Sequence, residues 1–294
     1  MMFEIRIIPK ASDAGQADLI RCVLINAGVS ADRIIEQYSK SRCAIIFYER
    51  SRRRREYFVR LLKSLKLHHA AICVRAVASQ DWASAWKKYF RPFNITPDIR
   101  VIPLWMKNEK VPRGSIPIYL DTTFAFGSGL HATTRMMARL MYSRKGSLES
   151  FLDIGTGSGI LALIAGAYGS RCIHAIDIDP VAIRTAAANC ATNRCEVAHL
   201  AAEPLENMKT RRKFDFVAAN LLTEDLIRLR KKLISAVAPA KYLAVSGIYR
   251  DNYREFRRRF RSDSLRCAAV ARQKGWYAVL FQKVASSRSR AGRG

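Results

Sequence analysis

The residues best suited to chemistry lie in one stretch, FLDIGTGSGILALIAGAYGSRCIHAIDIDP, residues 151–180. A short apolar run leads into Gly155, Gly157 and Gly159, a helical pattern follows at once, and the next apolar run ends in Asp177 and Asp179. Glycines in a strand-to-helix turn take backbone conformations closed to other residues and let the main chain approach a bound nucleotide. Asp177, 22 positions after Gly155, stands at the tip of the second strand, where a carboxylate accepts hydrogen bonds from both hydroxyls of a ribose. Dinucleotide sites use GxGxxG, whose third glycine comes five positions after the first, to seat a pyrophosphate at a helix N-terminus. Here the third glycine comes four positions after the first, and Asp153 stands two residues before it, where it would repel a pyrophosphate. S-adenosylmethionine carries a sulfonium and an ammonium, so an acidic, phosphate-free crevice suits it better than it suits NAD. The alternative is a glycine turn with no ligand.

Two further segments carry polar groups at informative places. FAFGSGLHATT, residues 124–134, sets Phe126, Gly127, His131, Thr133 and Thr134 just before an amphipathic helix. Thr133 or Thr134 can cap that helix or turn a hydroxyl into a pocket. In AANLLT, residues 218–223, Asn220 ends a strand-like run with both a donor and an acceptor; by itself it reads equally well as an ordinary strand-end turn residue.

These residues need a scaffold, and the periodicity supplies one. Strand-like runs fall at 151–154, 172–178, 214–219, 242–246 and 276–281, and helical patterns at 131–142, 160–168, 180–191 and 224–237. Strands alternating with helices predict a parallel sheet covered on both faces, with ligands at the C-terminal edge of its strands. The first hundred residues read differently: strands at 3–8, 43–48 and 70–77 with helices at 16–27 and 54–67 predict a small α+β module of ferredoxin-like type. Between the two, DWASAWKKYFRPF (81–93) places Trp82, Trp86, Tyr89 and Phe90 largely on one helical face, for interdomain packing or for substrate contact. Pro92, Pro97, Pro103 and Pro112 then punctuate an irregular stretch. The expected organisation is a recognition domain at 1–78, a linker at 79–113, a cofactor-binding domain at 114–284 and a disordered basic tail at 285–294.

Composition bounds the partners. The 294 residues hold 51 Lys and Arg against 24 Asp and Glu, a formal charge of +27, while 49% are apolar. That combination excludes a disordered basic protein and makes an anionic partner a candidate. The charge is uneven: residues 1–100 carry +10, 101–149 carry +4, 150–240 only +2, and 241–294 carry +11. Arginines outnumber lysines 35 to 16, so compositional drift toward arginine stands as the alternative to selected affinity for RNA. The longest nearly apolar run, 159–169, has 11 residues, and a spanning helix needs about 20. No secretory signal opens the chain, which predicts a soluble, cytoplasmic protein without membrane contact. Seven scattered cysteines with no CxxC pair and five histidines with no HxxxH spacing predict reduced thiols and no metal.

Taken together, DWASAWKKYFRPF, FGSGLHATT, DIGTGSGILALIA, IDIDPVAI, ANLL, SGI (246–248) and KGWYAVLFQK make the chain similar to the PrmA-type methyltransferases, which modify large-subunit ribosomal protein eleven. The resemblance covers most of the chain. It implies a small recognition domain, a flexible linker and a seven-stranded Rossmann-like methyltransferase domain. It also implies that Thr134, Gly155, Asp177 and Asn220 contact S-adenosylmethionine, with Gly157, Phe126 and Gly127 as further contacts. The family's usual FGTGTHPTT is FGSGLHATT here, and its members are commonly acidic. The implied reaction is methyl transfer to lysine or N-terminal amines of a ribosomal protein, with RNA contact through the basic flanks and a monomeric enzyme favoured. Such a transfer needs a neutral amine, and a lysine of pKa ~10.4 costs about 4.6 kcal/mol to deprotonate at pH 7. His131 is the titratable candidate for that work, or it shapes the cofactor pocket; Asn220 is placed to hold the amine. Two other functions use the same fold: a ribosomal RNA base methyltransferase, and a non-catalytic RNA-binding assembly factor. Adenine methyltransferases usually follow this asparagine with prolines and an aromatic, and Leu221, Leu222 and Thr223 supply neither.

Overall fold

The computed structural model describes residues 2–9, 19–21, 23, 24, 27, 29, 34–39, 42–49, 51–65, 70–77, 91–121 and 128–285. They form three sheets.

The first sheet is built from β1 (Met2–Ile8), β2 (Ile34–Ser39), β3 (Arg42–Glu49) and β4 (Ala71–Val77), in the order β2-β3-β1-β4, with all neighbours antiparallel. Alternation along β1 and β3 sends Ile5, Ile7, Ile45 and Phe47 inward, where Phe58 and Leu62 of helix α1 (Arg52–Ser64) and the helical residues Ile20 and Leu24 meet them. The hydroxyl of Ser51 caps α1 by accepting from the Arg54 amide at 3.3 Å. On the opposite face Glu4 is only 3% exposed. Its register partners Arg75 and Tyr48 donate to it at 2.8 Å and 3.0 Å. Burial alone would raise its pKa, but these hydrogen bonds hold the carboxylate below its ordinary range.

The second sheet corrects the expectation of an irregular, proline-punctuated stretch. β5 (Phe93–Asn94), β6 (Ile99–Pro103) and β7 (Ile116–Leu120) pair in that order, with β6 and β7 parallel. The prolines interrupt little because Pro97 sits in the turn before β6, Pro103 is its last residue and Pro112 lies in the following loop. Ile99, Val101, Ile118 and Leu120 are buried in the core that also holds the methionines of the following helix. Asp98 fixes this sheet further: it accepts from Thr96 at 2.8 Å and from the Tyr168 hydroxyl at 2.9 Å, and Lys145 lies 3.3 Å away.

The third sheet has seven strands in the order β10-β9-β8-β11-β12-β14-β13. β8 (Ser150–Ile154), β9 (Cys172–Asp177), β10 (His199–Ala202), β11 (Phe214–Asn220) and β12 (Val237–Tyr249) are parallel, while β14 (Trp276–Lys283) runs antiparallel between β12 and β13 (Leu265–Gln273). Alternate residues face two separate cores: Phe151, Phe216 and Ala218 pack against α2 (Ala132–Tyr142) and α3 (Ile160–Ala167), while Leu152, Val217 and Ala219 pack against α5 (Thr223–Ala236) and α6 (Arg250–Arg259). α4 (Pro180–Thr192) follows β9. Strand order reverses at β8, which lies between β9 and β11, and this opens a crevice at the C-terminal edge.

The Rossmann-like, seven-stranded expectation therefore holds. The five strands and four helices read from periodicity are present with ends shifted by a few residues. The linker aromatics Trp82, Trp86, Tyr89 and Phe90, most of the helix expected at 16–27 and the tail beyond 285 lie outside the described residues.

Candidate active site

The glycine turn between β8 and α3 has the conformations its sequence requires: φ is +73° at Gly155, +55° at Gly157 and +82° at Gly159. The amides of Gly155 and Thr156 donate to the Ile176 carbonyl at 2.9 Å and 3.1 Å, tying the turn to the end of β9. A side chain at Gly155 would lie 2.5 Å from the Leu221 side chain, so the turn packs directly against the segment leaving β11. Gly159 has the same role toward α4, since a Cβ there would meet that of Ala186 at 3.1 Å.

Two carboxylates face this turn in different states. Asp177 ends β9, and its oxygens accept from the Gly157 amide at 2.9 Å and the Asp179 amide at 3.0 Å, which holds the group in a fixed plane beside the glycines. Asp179 has a structural role, capping α4 through the Val181 amide at 2.8 Å. Asp153 is completely buried; one oxygen accepts from the Thr156 hydroxyl at 2.7 Å and the other has no hydrogen-bond partner. Burial, with a smaller contribution from the charge of Asp177, pushes its pKa up to about 7.

The first turn of α2 brings the second motif to the tip of β11. His131, not Thr133 or Thr134, is the N-cap: its Nδ1 accepts from the Thr133 amide at 3.4 Å. The Thr133 hydroxyl lies 2.7 Å from the same nitrogen, and Asn220 Nδ2 donates to that hydroxyl at 3.2 Å. With Nδ1 already accepting from a backbone N–H, the hydroxyl proton points to the imidazole and its oxygen receives the Asn220 amide. This polarity fixes the flip of Asn220 and leaves its Oδ1 as the group available to an acceptor substrate. Thr134 is 1% exposed and its hydroxyl has no partner among the described residues. Trp276 stacks edge-on to His131 at 5.3 Å and to Tyr249 at 5.1 Å, closing the far side.

Periodicity and motif spacing missed several residues that shape the site. Asn189 of α4 and Asn193, the residue that caps its C-terminus one turn later, act as a side-chain ladder for the edge of β7. Asn193 exchanges hydrogen bonds with the amide and carbonyl of Tyr119 at 2.8 Å and 2.6 Å, and Asn189 does the same for Asp121 at 2.8 Å and 2.9 Å. Asn189 also donates to the Ser158 carbonyl in the glycine turn at 2.8 Å, so one amide links the turn to the segment entering the second motif. Gly247 is equally constrained: φ is +91°, and a Cβ would fall 1.9 Å from the Leu221 carbonyl oxygen. A cavity of about 100 Å³ adjoins Gly155 and Asp177, walled by Ile178, Leu205 and Leu221, and Ile178 is 79% exposed. In the sequence these walls left no signal beyond an apolar Ile178 set between Asp177 and Asp179.

Of the residues expected to act, His131, Thr134, Gly155, Gly157, Asp177 and Asn220 all lie at or beside the C-terminal edge, and Phe126 and Gly127 fall outside the described residues. The donor set fits S-adenosylmethionine. Asp177 can take a ribose diol, the partnerless oxygen of Asp153 can take a cation, and the Ile178 and Leu205 walls can take an apolar ring face. Among the described residues no three His, Cys, Asp or Glu side chains gather in a metal-holding group, and no helix is long and apolar enough to cross a membrane.

Comparison with known proteins agrees. The sequence model of one family, described as Ribosomal protein L11 methyltransferase (PrmA), matches residues 25–284. The ribosomal protein L11 methyltransferase of Geobacter metallireducens is 36% identical over 209 residues, which is 71% of this chain and 68% of that protein. Its counterpart from Geotalea daltonii is 35% identical over 218 residues, 70% of this chain and 68% of its own length. A crystal structure of the ribosomal protein L11 methylase of Lactobacillus delbrueckii subsp. bulgaricus superposes with a TM-score of 0.60 at 27% identity, covering 66% of this chain and 99% of that one. The family model over residues 25–284 and these relatives, on a fold that carries the glycine turn, together mean that the chain belongs to the ribosomal protein L11 methyltransferase (PrmA) family of S-adenosylmethionine-dependent enzymes.

Proposed function

We propose that the protein transfers methyl groups to amines, lysine side chains or an N-terminal amine, of ribosomal protein L11. The observation that carries this reading is the Asn220–Thr133–His131 chain, which presents an amide oxygen, an acceptor, at the cofactor crevice. Bound S-adenosylmethionine supplies an electrophilic methyl group. Asn220 Oδ1 accepts an N–H of the incoming amine and directs its lone pair inward. Thr133 holds the Asn220 amide, and His131 holds Thr133. In this arrangement His131 is a positioning residue with its Nδ1 occupied, and proton loss from the amine is favoured by desolvation in the crevice. Thr134, Gly155, Gly157 and Asp177 hold the cofactor, with Phe126 and Gly127 as further contacts, and Asp153 offsets the positive charge of its ammonium.

At the level of the whole chain, residues 1–78 form the substrate-recognition domain, the chain from 79 links it to a methyltransferase domain that ends at 284 and takes in β5 and β6 as well as the segment from 114, and the basic tail follows. Separate cores support this division, since Ile5, Ile45, Phe47 and Phe58 cluster apart from the two cores of the seven-stranded sheet. The enzyme works as a cytoplasmic monomer, and its basic flanks contact ribosomal RNA. Incubating the purified chain with methyl-labelled S-adenosylmethionine, L11 and extracted ribosomal RNA tests the reaction. Label in L11 supports it, whereas label confined to RNA assigns the base methyltransferase function instead.

A further inference from the structure

The C-terminal basic excess has a structured part that the methyl-transfer chemistry does not use. Residues 250–266, RDNYREFRRRFRSDSLR, hold seven arginines against three carboxylates. Helical spacing in α6 turns Phe256, and with it the C-cap residue Phe260, into the core, where they are 1% and 2% exposed, and leaves Arg257 and Arg258, with Arg261 just past the helix, at the surface. Between this ridge and the β13–β14 hairpin lies a cavity of about 700 Å³, lined by Tyr253, Phe281 and Cys267 with Arg257, Arg258 and Arg261.

The charges around this cavity are divided in their commitments. Arg259 pairs with Glu255 at 3.0 Å, and Arg230 of α5 donates to the carbonyls of Arg259 and Arg261 at 2.8 Å and 2.9 Å, pinning the end of α6. The guanidinium groups of Arg257, Arg258 and Arg261 make no ion pair or hydrogen bond with any described residue. Beside them the rings of Tyr253 and Tyr277 stack at 3.9 Å and 12°, with Arg272 above Tyr277 at 5.6 Å. Tyr253 and Arg257, four residues apart in α6, share one ridge of the helix, and Arg261 follows just beyond its C-cap at the rim of the same cavity. The single carboxylate of the lining, Asp263, is an acceptor for the amino edge of a base.

We propose that this cleft is a binding site for single-stranded RNA, with Arg257, Arg258 and Arg261 on successive phosphates and the Tyr253–Tyr277 stack as a platform for a base. An acidic peptide would satisfy the guanidiniums but would leave the aromatic platform without a flat partner. The cleft is separate from the methyl-transfer site because it lies on the other face of the sheet: Tyr253, Tyr277 and Phe281 pack against the core beneath α5 and α6, whereas Trp276 belongs to the core beneath α2 and α3. The proposal rests on the reading that the basic flanks meet ribosomal RNA, and it locates one such contact.

The test uses the full chain with Arg257→Gln, Arg258→Gln and Arg261→Gln combined, and separately with Tyr253→Ala. Binding of a fluorescent oligouridylate is followed by anisotropy across a salt series, with S-adenosylmethionine affinity and L11 methylation as controls for folding. The triple variant is expected to bind RNA at least tenfold more weakly and to lower the slope of log affinity against log salt by about 2, since each lost single-strand phosphate contact contributes about 0.7. Tyr253→Ala is expected to lose about fivefold or more with the salt slope unchanged. Methylation of free L11 is expected to be unaffected in both. Wild-type RNA binding that survives the triple substitution would overturn the cleft while leaving RNA contact elsewhere on the chain intact. No binding by the wild type would overturn both. Polyglutamate of equal charge competing as well as RNA would assign the cleft to acidic protein.

Discussion

Asp153 illustrates a residue kept for its ligand at the expense of the empty fold. Its pKa of about 7 lies above the ordinary value, so the folded state holds a proton that the unfolded chain releases. The contribution of this one group to stability is therefore fully present below about pH 4 and is lost as pH rises through 7, by about 4 kcal/mol for a shift of this size. Asp153→Asn is expected to be more stable than wild type in urea at pH 8, with the difference closing toward pH 4, and to bind S-adenosylmethionine at least tenfold more weakly. Parallel pH profiles for the two proteins would refute the assignment. Asn220 presents the complementary case, a residue whose orientation depends on its neighbours. Thr133→Val removes the hydroxyl that receives its amide, so kcat is expected to fall roughly tenfold, the effect of one misplaced hydrogen bond to an acceptor, with cofactor affinity little changed. Asn220→Ala is expected to lower kcat further, and the double variant no further still, because the two act as one unit. The spacing of the glycines and Asp177 made the strand, turn and helix and the carboxylate beside them legible, whereas Asn220 by itself read equally well as a strand-end turn residue. The cap at His131 was not legible: a serine or threonine is the usual capping residue, and here the two threonines lie inside the helix while an imidazole nitrogen takes the role.

At the scale of elements, the site depends on close backbone contacts that a side chain would break. Gly247 interrupts the pairing of β12 where the strand passes the Leu221 carbonyl. Gly247→Ala is expected to destabilise the protein by about 3 kcal/mol or more, since it combines a left-handed φ with a backbone collision; thermal denaturation would measure it. Asn189 couples three segments through one buried amide, and Asn189→Leu is expected to cost about 2 kcal/mol and to weaken cofactor binding, because the Asp121 and Ser158 carbonyls lose their donor. Neither residue announced itself in the sequence, because nothing in their spacing distinguishes a helix asparagine that reaches a strand edge from one that faces water. The strands that were missed have a related explanation. β10 has four residues and β13 is an edge strand whose side chains are mostly exposed, so neither shows a buried face. α6 carries so many arginines that Phe256 and Phe260 scarcely mark its inner stripe. The core strands β8 and β11, buried on both faces, were legible as continuous apolar runs.

For the whole molecule, the uneven charge acquires a division of labour. The stretch containing the cofactor motifs is nearly neutral at +2, and the flanks carry most of the +27; under the proposed RNA contact, long-range attraction would act on the flanks and leave the crevice for a cationic cofactor and an amine. The separate N-terminal core predicts that deleting residues 1–78 leaves S-adenosylmethionine affinity within about twofold, since sites without shared contacts behave additively, while methylation of L11 is lost. Calorimetry and a methylation assay on the truncated chain check both parts. The requirement for a neutral amine predicts that the rate of methyl transfer rises with pH until the bound amine is deprotonated. The most direct test of the central claim is intact and peptide mass spectrometry of ribosomal protein L11 after incubation with this enzyme and S-adenosylmethionine. The account predicts methyl increments localised to lysine or N-terminal amines and their disappearance with Asn220→Ala; methyl groups appearing in ribosomal RNA, with L11 unmodified, would contradict it.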